Sequence, residues 1–469
     1  MNFILVVSDT LRRDFLGCYG NDWVDTRHID AWAAQSLVCD RAYAASFPTV
    51  PNRHDIMTGR YTCTYSQWEP LPRDEVVLAE VLSEAGYVTM MVVDTPHILE
   101  NGYYYDRGFQ GWEWIRGQES DRWQTAPAKP ELPAACEKIR NPERLMRVHL
   151  RNVAWRRCES DTFVARTMTT AMEWLERNRD NKPFFLYVDT FDPHEPWDAP
   201  QWYIDRYNPG YSGDVVSYPV YGPADYLSSA ELQHVRALYA AEVTLVDRWL
   251  GRLFEKIEDM GLLKDTVVIF TSDHGFLHGE HGWMGKSHIT PTWSRYIPLY
   301  EEIARVPFLV RGPGVEAGRC RQLVQTPDIM PTLLALAGVE DKLEMDGVSL
   351  VPLLGGNRVP VREVAVTSPT IIHGGLGGSR ATITTDKWAY ICAARKVPEA
   401  AVETRAVDGL AKEQLRDPGE DELYDLESDP SQSSNVIEGH DEVAKDLRKQ
   451  FVALLRQWQT DSDVVSMWE

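Results

Sequence analysis

Short apolar runs alternate with longer amphipathic stretches through the first three quarters of the chain. Phe3-Ile4-Leu5-Val6-Val7, Tyr87–Val93, Pro183-Phe184-Phe185-Leu186-Tyr187-Val188 and Thr266-Val267-Val268-Ile269-Phe270 are brief and rich in β-branched and aromatic residues, so they read as buried strands. Between them, Thr26–Ser36, Asn52–Met57, Val76–Ala85 and Asp161–Arg177 carry apolar residues at helical spacing. Ser228–Met260 is the longest such pattern; Leu238, Ala241, Leu245 and Trp249 form one stripe that reads as core packing, and Gly261 stops the helix. Strands that alternate with helices in this way predict an α/β fold, with a large, mainly parallel sheet sandwiched between helices.

Two regions depart from the alternation. Residues 99–158 are rich in aromatics, Pro, Arg and Glu, with Tyr103-Tyr104-Tyr105, Trp112, Trp114 and Trp123, and read either as an insertion that walls a pocket or as a surface excursion packed on its own rings. After residue 361 the pattern changes to a smaller α+β module. Ala381-Thr382-Ile383-Thr384 and Trp388-Ala389-Tyr390-Ile391 alternate like paired strands around Thr385-Asp386-Lys387, and Asp441–Gln459 has helical periodicity. The expected organisation is a catalytic domain over 1–361 and a C-terminal subdomain over 362–469.

The apolar run at the N-terminus stops at Ser8-Asp9-Thr10, too short for a signal-peptide core, and no later run is long enough to cross a membrane. Seven cysteines (Cys18, Cys39, Cys63, Cys136, Cys158, Cys320 and Cys392) are dispersed without metal-ligand spacing, which suits reduced thiols and a cytoplasmic protein. A formal charge of −22 argues against nucleic acid or an anionic membrane as partner. A small anionic ester is not excluded, because it answers only to the local field of its site.

The candidate chemistry lies at the ends of the strands. Asp9 ends the first strand and Asp273-His274 follows Thr266–Phe270, so both leave the C-terminal edge of the sheet, where open α/β folds place ligands. Two carboxylates and an imidazole form a donor set for a divalent cation. Thr49-Val50-Pro51-Asn52-Arg53 reads as a nucleophile loop just before a helix, with a hydroxyl to attack and an arginine fork to hold the oxygens of a phosphoryl or sulfuryl group. Asp192-Pro193-His194 follows another strand and offers His194 as a general acid. Lys286, at the end of the glycine- and histidine-rich segment Asp273–Lys286, is placed to bind the transferred group or protonate a leaving group.

Taken together, these motifs resemble the sulfatases of the alkaline phosphatase superfamily. The matching segments follow in order: Asp9-Thr10-Leu11-Arg12-Arg13-Asp14, Thr49–Arg53 with Thr58-Gly59-Arg60, Gly86-Tyr87-Val88-Thr89, Pro193-His194, Thr271–Gly275 through Lys286, Arg305-Val306-Pro307, Asp328–Leu333 and Asp346–Leu350. The resemblance implies an alkaline phosphatase-like fold and one divalent metal ion (Mn, Zn or Ca) held by Asp9, Thr49, Asp273 and His274. It implies Thr49, Arg53, His194 and Lys286 as catalytic residues, and His97 and His281 as substrate-binding ones.

Four departures redirect the functional expectation. Thr49 stands where sulfatases carry the cysteine that matures to formylglycine, a conversion threonine cannot undergo. Thr10 replaces a second aspartate, and His274 replaces an asparagine. The family's lysine–histidine pair is replaced by Asp94-Thr95-Pro96-His97, of which only His97 can stand in. A hydroxyl nucleophile with this metal set resembles the phosphodiesterase and phosphonate monoester hydrolase branches. The expected function is therefore hydrolysis of phosphodiesters or phosphonate monoesters, with sulfate-ester hydrolysis and a non-catalytic family member as alternatives. The expected partner is a small anionic ester, and self-association into a homo-oligomer is left open.

Overall fold

The computed structural model describes residues 1–127, 129–339, 343–398, 404–407 and 410–469. Its main sheet runs in the order Arg305–Val306, Leu37–Tyr43, Phe308–Arg311, Thr266–Ser272, Asn2–Ser8, Phe184–Thr190, Val88–Val93, Gly111–Trp114, and Gly318–Gln325 also pairs with Leu37–Tyr43. Thr266–Ser272, Asn2–Ser8, Phe184–Thr190, Val88–Val93 and Gly111–Trp114 are mutually parallel; Phe308–Arg311 runs antiparallel between Leu37–Tyr43 and Thr266–Ser272. This is the α/β architecture that the alternation predicts.

Period-two alternation divides the apolar side chains of Asn2–Ser8 between two cores. Ile4 and Val6 pack with Val164, Met168 and Leu175 of the helix Phe163–Arg177 and with Leu238, Leu245 and Trp249 of the helix Ser229–Asp259. Phe3, Leu5 and Val7 pack on the opposite face with Val50, Ile56, Leu78, Leu82 and Leu333. Both faces are covered, which is why these strands read as unbroken apolar runs. Ser228 caps the long helix by accepting a hydrogen bond from the Glu231 amide.

Register brings the chemistry together. Ser8 pairs with Ser272 across the parallel ladder, so Asp9 and Asp273 leave the sheet side by side. On the other flank Val7 pairs with Asp189, putting a third carboxylate two residues deeper.

Three expectations are corrected here. The nucleophile segment is not a loop ahead of its helix, because the helix spans Thr49–Thr58 and Thr49 is its first residue. Pro51 is tolerated because amides of the first turn have no intrahelical partner. The strand expected over Pro183–Val188 spans Phe184–Thr190; its last two residues are polar but buried, so apolar content understated its length. Part of the 99–158 region is also neither wall nor excursion: Gly111–Trp114 is the edge strand of the main sheet, parallel to Val88–Val93.

Beyond the main sheet, Ala365–Thr367, Arg380–Thr384, Trp388–Ala393 and Glu422–Asp425 form an antiparallel sheet. The helix Asp441–Gln457 contributes Leu447, Phe451 and Leu455 to the core on this sheet. Ala45, Tyr61 and Cys63, which flank the Thr49 helix, belong to the same core, and Tyr61 stacks on Trp458 at 3.8 Å. The smaller module thus buttresses the segment that carries the candidate nucleophile.

Candidate active site

Thr49 sits at the N-terminus of a helix whose ten residues are all buried. Asp55 fixes this helix at both ends, accepting hydrogen bonds from the Ser46 amide at 2.6 Å and the Thr62 amide at 2.8 Å. The Asn52 side chain donates to Thr326 Oγ1 at 3.1 Å. Gly59, at φ 69°, ends the helix in the left-handed conformation that glycine adopts without steric cost. The Thr49 hydroxyl is therefore held by a rigid element, with the positive end of the helix dipole beside it.

The imidazole of His274 faces that hydroxyl, with Nε2 3.3 Å from Thr49 Oγ1. Its Nδ1 donates to the Gly275 carbonyl at 3.0 Å, which leaves Nε2 as the bare nitrogen. Burial first, with the charges of Lys286 and Arg53 behind it, outweighs the pull of Asp273 and lowers the His274 pKa to about 3. The ring is therefore neutral and presents a lone pair.

Asp9, Asp273 and His274 offer ligand atoms that all lie within 4.8 Å of one another, in a fully buried cluster. Asp9 Oδ2 has no hydrogen bond there; Arg53 Nη2 lies 3.1 Å away but is not aligned to donate. Burial, and then the repulsion of Asp273, push the Asp9 pKa well above the ordinary carboxylate range. An orphaned carboxylate oxygen, a second carboxylate and an imidazole lone pair fit a divalent cation of mixed oxygen and nitrogen preference. Thr49 Oγ1, next to His274 Nε2, completes the expected donor set.

Arg53 is fully buried, and most of its donors are committed within the protein. Nε and Nη2 each donate to Asp189 at 2.9 Å, and Nη1 donates to the Thr49 carbonyl at 3.3 Å and to Asp273. The expected fork open to phosphoryl oxygens is thus not what the structure presents. Here the guanidinium binds three carboxylates and the nucleophile's own backbone, because buried acids left unpaired cost several kcal/mol each.

Asp189 was missed by the sequence reading. Its four acceptor positions are filled by two Arg53 N–H groups, the Thr95 hydroxyl at 2.5 Å and the Tyr187 hydroxyl. A carboxylate at the C-terminal end of an apolar strand was the signal used for Asp9, and it applies equally to Asp189. Thr10, by resemblance a lost metal ligand, has a structural part of its own. It occupies φ 59°, a strained conformation for a β-branched residue, and connects the site. Its amide donates to Asp273 Oδ1 at 2.9 Å, its hydroxyl donates to Asp9 Oδ1 at 2.7 Å, and Lys286 Nζ donates to that hydroxyl at 3.3 Å.

His194 is nearby and buried, stacked on Phe191 at 4.0 Å, with Nδ1 donating to the Glu195 carbonyl at 2.7 Å. Burial, reinforced by Lys286, pushes its pKa well below the ordinary value, so the ring is neutral with Nε2 bare. His97 flanks the same phenyl ring, edge-on at 5.6 Å. His281 is stacked on Tyr300 at 3.7 Å and lies 3.3 Å from Glu302. The structure thus gathers Asp9, Thr49, Arg53, Asp273, His274 and Lys286 into one constellation, with His194 and His97 along its flank and His281 engaged with Tyr300 and Glu302.

A hydroxyl at a helix N-terminus beside two buried carboxylates and an imidazole is a donor set suited to a metal-assisted ester hydrolase. The Sulfatase family model matches residues 1–339, and the chain belongs to that family. It is 24% identical to an arylsulfatase of Clostridium perfringens, over 93% of this chain and 90% of that protein. It is also 25% identical to the multifunctional alkaline phosphatase superfamily protein PehA of Trinickia caryophylli, over 75% of this chain and 77% of that protein. Among solved structures, the phosphonate monoester hydrolase of Agrobacterium radiobacter superposes with TM-score 0.72 at 21% identity, covering 98% of this chain and 96% of its own. A protein solved with its substrate D-glucosamine-2-N,6-O-disulfate superposes with the same TM-score of 0.72 at 20% identity, covering 99% of each chain. Both likenesses establish the alkaline phosphatase-like fold. Among the described residues, no helix is long and apolar enough to cross a membrane.

Proposed function

We propose that this protein hydrolyses phosphodiesters or phosphonate monoesters, with Thr49 as the nucleophile. The observation that carries the reading is the Thr49 hydroxyl itself, fixed at a helix N-terminus 3.3 Å from His274 Nε2 and backed by Arg53 through its carbonyl. A threonine ester of sulfate has no aldehyde to collapse to, whereas a threonine ester of phosphorus can be opened by a second attack at phosphorus. That difference favours phosphorus over sulfur.

Asp9, Asp273, His274 and Thr49 would hold the divalent cation, which when bound lowers the pKa of the hydroxyl and screens the anionic ester. Thr49 Oγ1, its proton passed to solvent, forms the new bond to phosphorus while the bond to the leaving oxygen breaks. Lys286, on the hydroxyl of Thr10, donates the proton that the departing alkoxide needs. His194 has its proton on Nδ1 and its lone pair on Nε2, the wrong tautomer for that donation and the right one for a base. In the second step it takes a proton from the water that attacks phosphorus, the bond to Thr49 Oγ1 breaks, and protons returned through His194 and solvent restore the threonine hydroxyl and the Lys286 ammonium. Arg53 acts by holding the Thr49 carbonyl and the two carboxylates of the cation site.

The test is paired turnover of p-nitrophenyl sulfate, p-nitrophenyl phosphate, bis-p-nitrophenyl phosphate and p-nitrophenyl phenylphosphonate, with Mn, Zn, Ca and Mg returned to stripped protein. The expected result is a kcat/KM for the diester or phosphonate at least about 100-fold above that for the sulfate, roughly 3 kcal/mol of transition-state discrimination. Faster sulfate turnover would overturn the assignment in favour of a sulfatase that uses threonine directly.

A further inference from the structure

The 99–158 region reaches the flank of the active site through Gln118, Glu119 and Arg140, and what it brings there is charge. Glu119 is 2% exposed and lies at φ 43°, a conformation that a non-glycine residue keeps only when its surroundings hold it. The surroundings are specific. Its Oε1 accepts hydrogen bonds from the Tyr218 hydroxyl and from Arg140 Nη2, the latter at 3.2 Å. Its Oε2 lies 3.0 Å from His97 Nε2, an ion-pair contact not aligned as a hydrogen bond. Arg140 is itself packed over Tyr218 at 4.6 Å and Tyr221 at 4.1 Å. The neighbouring Gln118 donates to Asp192 Oδ1 at 2.7 Å, and Asp121 accepts from the Gly117 amide at 2.7 Å. This loop is built around its carboxylate.

His97 is the open end of the arrangement, with 18% of its side chain exposed against 2% for Glu119. Phe191 lies between it and His194, edge-on to one imidazole and stacked on the other. The groups facing His97 are Glu100 on its own turn (Nδ1 to Oε1 3.7 Å), Glu119 from the inserted region, Trp68 edge-on at 5.4 Å, and Phe191 with His194 behind it. Two carboxylates and one neutral imidazole therefore surround it. Arg53 is committed to carboxylates, and Lys286 makes one hydrogen bond, to the Thr10 hydroxyl.

We propose that Glu119, fixed by Arg140 and Tyr218, is a positioning residue that holds His97 as an imidazolium, and that this cation binds an oxygen of the anionic ester. The role in substrate binding rests on the ester-hydrolase reading above; the Glu119–His97 device does not. The electrostatics agree: burial alone would push the His97 pKa down, but Glu119 and then Glu100 outweigh it and raise it to about 10. Burial would likewise raise the Glu119 pKa, but His97, His194 and Arg140 hold it well below the ordinary value. The inserted region thus supplies the carboxylate that keeps positive charge on His97 at the flank of the site.

The test is the histidine ring-proton titration of the protein loaded with a diamagnetic ion, with His97 assigned through His97→Gln. In the wild type His97 stays protonated across about pH 6 to 8.5, whereas an unperturbed histidine titrates near 6.5. Glu119→Gln lowers the His97 pKa by about two units or more, and Arg140→Gln shifts it in the same direction by less. Inorganic phosphate then binds Glu119→Gln about tenfold more weakly at pH 8, and with wild-type affinity near pH 6, where the imidazole is protonated without help. A purely structural Glu119 would not move this pH dependence. Wild-type His97 titrating near 6.5 overturns the device, even if Glu119→Gln does not fold. A normal device with phosphate affinity insensitive to the substitution overturns the binding role. Neither readout needs turnover, so failure here is separable from failure of the Thr49 assignment.

Discussion

Thr49 Oγ1 lies 3.3 Å from His274 Nε2, while the other nitrogen of that ring is committed to the Gly275 carbonyl. The pairing sets both chemical roles at once. The imidazole cannot turn its bare nitrogen away without breaking the second hydrogen bond, and the hydroxyl cannot leave without unwinding a buried helix.

If Thr49 is the nucleophile, Thr49→Ala loses about 10³-fold or more in kcat while keeping its fold, because it removes the atom that bonds to phosphorus. Thr49→Ser keeps the hydroxyl and should stay within about tenfold of wild type. Steady-state kinetics with circular dichroism as the folding control decide it. An alanine variant that turns over at wild-type rate would remove Thr49 from the chemistry.

Asp189 touches no expected metal ligand, yet it fixes the orientation of Arg53. Asp189→Asn leaves a buried guanidinium short of one charge, which should destabilise the protein by about 3 kcal/mol. It should also weaken cation binding by roughly tenfold or more, as loss of a residue that orients a metal site does. Urea unfolding and metal titration measure the two effects separately.

Cation binding should weaken steeply with acid. Asp9 must lose its proton to act as a ligand, and its pKa is raised by burial and by Asp273, so protons compete with the metal well above the ordinary carboxylate range. His274, lowered to about 3, is already neutral and releases nothing. Below the raised Asp9 value, metal affinity falls about tenfold per pH unit, with about one proton released per ion bound. Calorimetry in buffers of different ionisation enthalpy counts that proton, and a pH-independent affinity would show that Asp9 is not a ligand.

Gly275 receives the His274 hydrogen bond and has no room for a side chain. A Cβ there would sit 1.9 Å from the Glu302 carbonyl oxygen, a backbone atom that cannot swing aside. Gly275→Ala should cost about 2 kcal/mol or more of stability, visible as a lowered Tm. It should also loosen cation binding, since the backbone that orients His274 must shift. Wild-type stability in this variant would show that the loop yields freely.

Much of this was legible in the chain because local chemistry determines it. Buried parallel strands must be apolar on both faces, so the runs around Phe3–Val7 and Thr266–Phe270 announced themselves, and the carboxylates that end them stood out by contrast. The ordered motifs from Asp9 to Asp346 likewise carried the family. Asp189, directly behind an apolar run, carried the same signal as Asp9; what the sequence hid is that the strand runs two residues past that run, because polar residues buried inside a sheet look like loop residues. Glu119 and Arg140 carried no signal at all: in a region dense with charge, nothing local marks the pair that will be buried.

The sequence by itself determined the alternation of elements, the family and the residue types available for chemistry, because these depend on neighbours a few positions apart. Only the tertiary structure decided which charges meet. Parallel register set Asp9 beside Asp273, the convergence of three acids committed Arg53 away from an open fork, and the inserted region delivered Glu119 to His97. Each outcome rests on the electrostatics of groups far apart in sequence and buried together, where an unmatched charge is too costly to leave alone.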